Sequence, residues 1–174
     1  MAITKIRNVF SVRHVGLGDQ NNSGIHLIKH QTHQLDDAMC FWQMDTIRAD
    51  FLPDEGNVTL DALCDRLTDD TALVPPVWPL EIGNVLLVAV KRGRLTTKDV
   101  KQLIAELRAL PLEVDSHSTE RALEDTLNLA KKYDLTTYDA SYLELAMRRD
   151  LPLATLDTKL RQAGVSAKIT LLPS

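Results

Sequence analysis

Residues 71–90 form a stretch of twenty positions with a single charge, that of Glu81. Burying one carboxylate among apolar side chains is unfavourable unless the carboxylate gains a partner. TALVPPV at the start of the stretch predicts a buried strand, and WPLEIGNVLLVAVKRG predicts the helix that follows. Pro79 suits the first turn of such a helix and Gly93 suits its end. We therefore expect a strand–helix unit in the core, with a partner for Glu81.

The same alternation of strand and helix patterns continues through the rest of the chain. Upstream, MCFWQM reads as a short buried strand closed by Asp45, and NVTLDALCDRL reads as a helix. Downstream, the predicted helices are TTKDVKQLIAELRAL, STERALEDTLNLAKKY, TTYDASYLELAMRR and TKLRQAG, and the predicted strands are LEV, LPLATLD and KITLL. Alternating strands and helices favour an α/β sandwich built on a parallel sheet. Residues 1–38 are polar and turn-rich and predict an N-terminal extension, which leaves residues 39–174 as the domain.

The overall composition narrows the function classes. The net charge of −4 provides no global basic field for nucleic acid, although a metal-dependent nuclease can meet phosphate through its cations. Cys40 and Cys64 have no metal-binding or disulfide-framework spacing, which favours a reduced, cytoplasmic protein. The N-terminus lacks the pattern of a secretory signal, and Glu81 interrupts the best candidate for a membrane span. We expect a soluble, intracellular protein that does not bind membranes.

Acidic residues recur where the predicted strands end. Glu81 and Asp139 fall in first turns of predicted helices, Asp157 ends the strand LPLATL, and Asp45 could end MCFWQM. Ligands of open parallel sheets bind beyond the carboxyl ends of the strands. Acids gathered there raise each other's pKa unless a cation lies between them. Hard oxygen ligands with little His or Cys nearby indicate Mg²⁺ or Mn²⁺ rather than Zn²⁺.

Each of these residues also has a simpler interpretation. Asp139 in the first turn of a helix is favoured by the helix dipole alone, and Asp157 could merely cap the helix TKLRQAG. His26, His30 and His33 have the spacing of one helical face, so a Zn²⁺ site is conceivable. No helix signal and no cysteine accompany them, and scattered polar histidines are the simpler alternative. Only the combination of acids favours a metal site.

Three motifs resemble a known family. VPPVWPLEIGNVLL, LTTYDASYLELA and LPLATLDTKL, in this order and spacing, resemble the PIN domain in its VapC-type toxin form. The similarity runs from Phe51 to Ile169, about two-thirds of the chain. It implies a metal-dependent endoribonuclease that leaves a 5′-phosphate and a 3′-hydroxyl. It also implies the toxin component of a toxin–antitoxin pair, inhibited by a VapB-like antitoxin and typically a homodimer.

Matching the motifs position by position assigns roles to individual residues. The resemblance implies that Glu81, Asp139 and Asp157 are acids of a Mg²⁺ or Mn²⁺ site. Asn84 and Thr137 match polar residues that orient these groups. Beyond Asp157, the basic residues Lys159 and Arg161 could contact the RNA backbone. Lys91, Arg92 and Arg94 could do the same, or could simply be solvated residues at a helix end.

The sequence departs from the family pattern in its first strand, which normally ends in an Asp. That Asp is expected near position 43, where this chain has Gln43. Asp45 is the nearest substitute and Asp50 the second candidate. The alternative function is therefore a catalytically impaired PIN-fold protein that still dimerises and binds an antitoxin. Metal affinity would separate the two hypotheses, because a site short of one carboxylate should bind Mn²⁺ more weakly.

Apolar faces on two predicted helices suggest self-association. VLLVAV and YLELAM carry more leucine-type surface than one side of a small core needs. A homodimer would bury the excess, and a helix of the antitoxin would fit a groove of the kind that amphipathic helices fill.

Overall fold

Parallel strands and helices alternate along the described part of the chain, which is residues 38–39 and 71–173 of the computed structural model. The strands are β1 (Ala38–Met39), β2 (Thr71–Val74), β3 (Leu112–Val114), β4 (Leu153–Ala154) and β5 (Leu171–Leu172). The helices are α1 (Trp78–Lys91), α2 (Thr97–Ala109), α3 (Leu127–Tyr133), α4 (Thr137–Arg149) and α5 (Thr158–Ser166). This arrangement confirms the predicted α/β class with parallel strands.

The first turn of α1 lies at the carboxyl ends of the strands of a parallel sheet. β2 lies between β1 and β3, with Ala38 opposite Thr71 and Val74 opposite Val114. Residues 72–74 of β2 are fully buried, as expected for a strand of a parallel sheet covered on both faces. β4 and β5 form a second parallel pair. Because α1 begins four residues after Val74, its first turn lies at the carboxyl end of β2.

The residues predicted to mark the start and the end of α1 lie at those positions in the structure. A proline stands at the start of the helix, where its missing N–H would have no helical partner. Gly93 follows the end of the helix with φ of +68°, a conformation that costs glycine little. The core-facing side chains of α1 recur every three or four residues: Trp78, Ile82, Leu86 and Ala89. This face fixes the rotation of the helix and hence the direction of its first turn.

The segment STERALEDTLNLAKKY was predicted as one capped helix, and that prediction is wrong. The structure has a 3₁₀ turn at Ser116–Ser118, a π-helical turn at Ala122–Thr126 and only then α3. Asp115 accepts a hydrogen bond from the Ser118 backbone N–H at 2.8 Å, so the cap closes a 3₁₀ turn rather than an α-helix. The backbone N–H of Thr126 bonds to the Arg121 carbonyl at 3.1 Å, which widens the following turn.

Helix α4 is the most enclosed helix among residues 71–173. Tyr142, Leu143, Leu145 and Ala146 have no exposed surface, and Met147 is 40% exposed. The predicted excess of apolar surface on YLELAM is therefore mostly buried within its own chain, and only Met147 of this segment is exposed. Its burial holds α4, and with it Asp139, in a fixed position against the core.

The last strands are shorter than predicted. LPLATLD contributes only Leu153–Ala154 and KITLL only Leu171–Leu172. The predicted strand MCFWQM overlaps β1 at Met39 alone; Asp45, Asp50, the helix NVTLDALCDRL and the three histidines lie outside the described residues. Within residues 71–173, no helix is both long and apolar enough to cross a membrane.

Candidate active site

Glu81 has a partner in the core of the domain. The hydroxyl of Tyr142 on α4 donates a hydrogen bond to Glu81 Oε2 in the first turn of α1. Tyr142 has no exposed surface, whereas Glu81 is half-buried. The contact joins residues that are 61 positions apart in sequence. A neutral donor thus holds the carboxylate that the apolar stretch left in need of a partner.

Two carboxylates contribute to the pKa of the Tyr142 hydroxyl. Burial, the negative charge of Glu81, the hydrogen bond to Glu81 and the charge of Asp139 together raise the pKa of Tyr142 above its usual range. The hydroxyl therefore stays protonated near neutral pH and can only donate to Glu81. Asp139 lies three residues before Tyr142 on α4, so the two side chains belong to one face of that helix.

Asp139 lies in the first turn of α4, where Thr136 holds it at two points. The Thr136 hydroxyl donates to Asp139 Oδ2 at 2.7 Å and accepts from the Asp139 backbone N–H at 3.1 Å. The sequence motif pointed to Thr137 for this hydroxyl, but Thr136 is the residue before the helix and Thr137 is its first residue. This reciprocal arrangement fixes the carboxylate at the helix terminus.

Asp157 occupies the junction between β4 and α5. Its Oδ1 accepts from the Leu160 backbone N–H at 2.7 Å, and its own N–H donates to the Thr155 hydroxyl at 3.0 Å. Asp157 therefore caps α5, the simpler role foreseen for it. A cap does not exclude a second role, because a carboxylate can accept at about four lone-pair positions.

The predicted RNA-contacting residues differ in their surroundings. Lys159 is exposed and pairs with Asp134 at 2.9 Å, whereas the Arg161 guanidinium donates to the carbonyls of Thr155, Leu172 and Pro173. Arg161 thus joins the ends of β4 and β5, which sets it apart from a solvated cation. Asn84 is exposed on α1, three residues after Glu81.

One further acid at the sheet edge was missed by sequence reasoning. Asp115 directly follows β3 and is buried. Arg148 Nη2 lies 2.8 Å from Asp115 Oδ2, and Arg148 Nε lies 2.8 Å from Oε1 of the buried Glu144. Burial opposes the charge of Asp115, but the hydrogen bonds from Arg148 and Ser118 outweigh it and lower the pKa of Asp115. This acid is neutralised internally.

The residues that sequence reasoning missed carried weak local signals. Tyr142 stands three positions after Asp139, so both belong to one helical face, and a buried tyrosine hydroxyl normally finds a partner. Thr136 precedes Thr137, and either could have been the cap. For Asp115 the partner is Arg148, which looks in the sequence like an ordinary basic residue in the last turn of a helix.

Glu81 and Asp139 are hereafter called the carboxylate pair. Their carboxyl oxygens are hard donor atoms of the kind that Mg²⁺ and Mn²⁺ prefer. A carboxylate that accepts a hydrogen bond, as Glu81 does from Tyr142 and Asp139 from Thr136, can still ligate a metal through its other lone pairs. In the part of the chain with described side chains, no three His, Cys, Asp or Glu residues are grouped to hold a metal ion. The pair therefore fits part of a metal site.

The comparison with protein families agrees with this fold. Residues 49–165 match the PIN domain, a segment within the range 39–174 predicted for the domain. This match covers more than half of the chain. The chain belongs to the PIN domain family, which confirms the resemblance seen in its three motifs.

Within this family, the chain is similar to curated proteins that are named ribonuclease VapC. The chain is 33% identical to ribonuclease VapC3 of Pyrobaculum aerophilum over 82 residues, which are 47% of this chain and 63% of that protein. It is 31% identical to ribonuclease VapC1 of Mycobacterium tuberculosis over 109 residues, 61% of this chain and 78% of that protein. The aligned segment thus spans less than two thirds of the archaeal relative.

Proposed function

We propose that this PIN-domain protein is a VapC-like endoribonuclease that hydrolyses RNA phosphodiesters with Mg²⁺ or Mn²⁺. The observation that carries the proposal is the contact between Glu81 of α1 and the buried Tyr142 hydroxyl of α4, the helix whose first turn carries Asp139. The family match and the relatives named ribonuclease VapC support the reaction class. The proposal places the protein in the cytoplasm as the toxin component of a toxin–antitoxin system.

The proposed metal ligands are the carboxylate pair and Asp45; Asp157, which is not grouped with the pair, is proposed to serve a second metal ion or a water at the site. When bound, Mg²⁺ or Mn²⁺ supplies charge stabilisation at the phosphate and an activated water. The acids bind and orient this cation, Thr136 orients Asp139, and Asn84 and Thr137 are proposed to support the acids further. Asp115 takes no part, because Arg148 already neutralises it. Lys159 contacts the RNA backbone, while Arg161 secures the strand ends beside Asp157.

The direct test is cleavage of a quenched single-stranded RNA by the full chain in Mn²⁺ and in EDTA. We expect cleavage that requires metal and that is strongly reduced by Asp45→Asn but not by Asp50→Asn, because Asp45 is nearer the position of the missing first-strand acid. Metal-independent cleavage that survives both substitutions and EDTA would contradict the proposal. The opposite ranking of the two variants would move the fourth ligand to Asp50.

A second candidate function follows from Gln43, which stands where the family has its first-strand acid. In this case the domain has lost catalysis and serves as a dimerising, antitoxin-binding module. A folded wild type that binds Mn²⁺ only weakly and leaves the RNA intact would favour this alternative. The two candidates share the fold and the partner, and they differ in metal affinity and turnover.

The proposed partners are a VapB-like antitoxin and a second copy of the chain. The outer face of α1 exposes Leu80 by 76%, Leu87 by 52% and Val90 by 36%, at a spacing that keeps them on one side of the helix. Burying these side chains would stabilise an association. This face, rather than the buried YLELAM segment, is the apolar surface that α1 and α4 leave available.

Equilibrium sedimentation tests the homodimer. We expect the wild type to be dimeric at micromolar concentration and Leu87→Glu to be monomeric, because a charge would be desolvated in the contact. Val165→Glu is the matched control, since Val165 is 66% exposed on α5, outside the proposed surface. A monomeric wild type, or a dimer equally weakened by both substitutions, would count against the α1 contact.

A further inference from the structure

Two carboxylates at the sheet edge are held by partners of opposite kind. Asp115 forms an ion pair with the guanidinium of Arg148, a cation that neutralises its charge. Glu81 Oε2 accepts a hydrogen bond from the hydroxyl of Tyr142, a neutral donor that fixes the position of this oxygen. The first arrangement is what a stable core requires of a buried acid. The second orients a half-buried carboxylate without adding a charge.

The phenol also lies where it can organise both members of the carboxylate pair. Tyr142 and Asp139 are three residues apart on α4, so they share a helical face. Tyr142 has no exposed surface, and its ring is part of the core formed by β2, α1 and α4. Close packing restricts the rotamers of this side chain, so its hydroxyl offers a well-defined donor to the Glu81 carboxylate.

We propose that Tyr142 is a positioning residue for metal binding. Its hydroxyl sets the orientation of the Glu81 carboxylate so that Glu81 and Asp139 present oxygens to the same divalent cation. This inference rests on the proposed function, because it concerns the same site. It assigns to Tyr142 a task in metal affinity rather than only in filling the core.

The experiment compares Tyr142→Phe with Tyr138→Phe in the full chain. The first change deletes one oxygen and keeps the buried ring; the second deletes the same atom from a tyrosine that is 59% exposed and adjacent to Asp139. Mn²⁺ is titrated into metal-free protein and followed by electron paramagnetic resonance of the free ion. We expect Tyr142→Phe to weaken Mn²⁺ binding about 10- to 100-fold, the usual cost of losing a group that orients a ligand, and Tyr138→Phe to leave it unchanged.

A double-mutant cycle with Glu81→Gln shows whether the effect passes through Glu81. We expect Tyr142→Phe to cause no further loss of Mn²⁺ affinity in the Glu81→Gln background, because the group that it orients is then no longer a charged ligand. An equal loss in both backgrounds would overturn the positioning role and leave a general effect on the core. Melting curves of the metal-free variants serve as the check on folding.

The outcomes separate this inference from the proposed function. A wild type that binds Mn²⁺ tightly, with Tyr142→Phe binding equally well, overturns the positioning role alone. A folded wild type without measurable Mn²⁺ binding overturns the metal site and the positioning role together. In cleavage assays at saturating metal, the positioning role predicts a lower kcat for Tyr142→Phe with KM for the RNA unchanged.

Discussion

Asp139→Asn is expected to abolish most metal-dependent RNA cleavage while leaving the fold intact. The substitution removes a negative charge from the carboxylate pair and keeps an oxygen that can accept from the Thr136 hydroxyl. The Asp139 backbone N–H still donates to Thr136, so the cap of α4 is retained. Metal-supplied charge stabilisation is worth several kcal/mol, and about 1.4 kcal/mol corresponds to a tenfold rate change, so we expect a rate about 10²- to 10³-fold lower.

The matched control for this variant is Asp150→Asn at the other end of α4. Asp150 is exposed and has φ of +53°, a left-handed conformation that asparagine accepts readily. We expect wild-type cleavage from Asp150→Asn and melting temperatures for both variants close to that of the wild type. Initial rates on quenched RNA in Mn²⁺ provide the measurement. Wild-type rates from Asp139→Asn would remove Asp139 from the proposed site.

The parts of the fold that the sequence predicted well depend on local signals. Helices α1 and α2 begin and end near the predicted residues because a proline, the Thr96 capping box and Gly93 act on their immediate neighbours. The strand LEV was predicted with its observed bounds for a similar reason, since it lies between two helix patterns. Such signals are read from a few consecutive residues and need no knowledge of the tertiary structure.

The missed features depend on contacts between distant residues. The π-helical turn at Ala122–Thr126 directly follows Arg121, whose Nε lies 3.8 Å from Oε1 of Glu144 on α4. No local sequence pattern indicates this contact. The partner of Glu81 is 61 positions away, so the sequence could require a partner without identifying Tyr142. Local patterns placed Asp139 in the first turn of a helix, where the structure has it, but they could not show that the same helix carries a partner of Glu81.

Arg148 illustrates the same limit and leads to the largest expected loss of stability. In sequence it is one of two arginines that end α4, a position that the helix dipole alone explains. In the structure its guanidinium lies between the buried carboxylates of Asp115 and Glu144, both about 2.8 Å from its nitrogens. The network ties the turn after β3 to α4, the helix that carries Asp139 and Tyr142.

Arg148→Met is expected to lower the free energy of unfolding by about 3–5 kcal/mol at neutral pH, because two buried carboxylates lose their cation. The methionine keeps a flexible apolar chain, so the loss reports the charge rather than a cavity. Arg149→Met, in the same last turn, is the control and should change stability by less than about 1 kcal/mol. Chemical denaturation followed by circular dichroism gives both values.

The pH dependence of Arg148→Met separates a charge effect from a packing effect. In the wild type the pKa of Asp115 is lowered, so its contribution is present above the unfolded pKa, about 3.9, and is lost as the pH falls through the folded pKa. Without Arg148, burial should instead raise the pKa of Asp115 above its unfolded value. The folded variant then binds protons more readily than its unfolded chain. The loss in free energy of unfolding caused by Arg148→Met, hereafter the deficit, should therefore shrink as the pH is lowered from 7 towards about 4. A deficit that stays constant over this range would mean that Arg148 acts through packing, and that the two carboxylates tolerate burial without it.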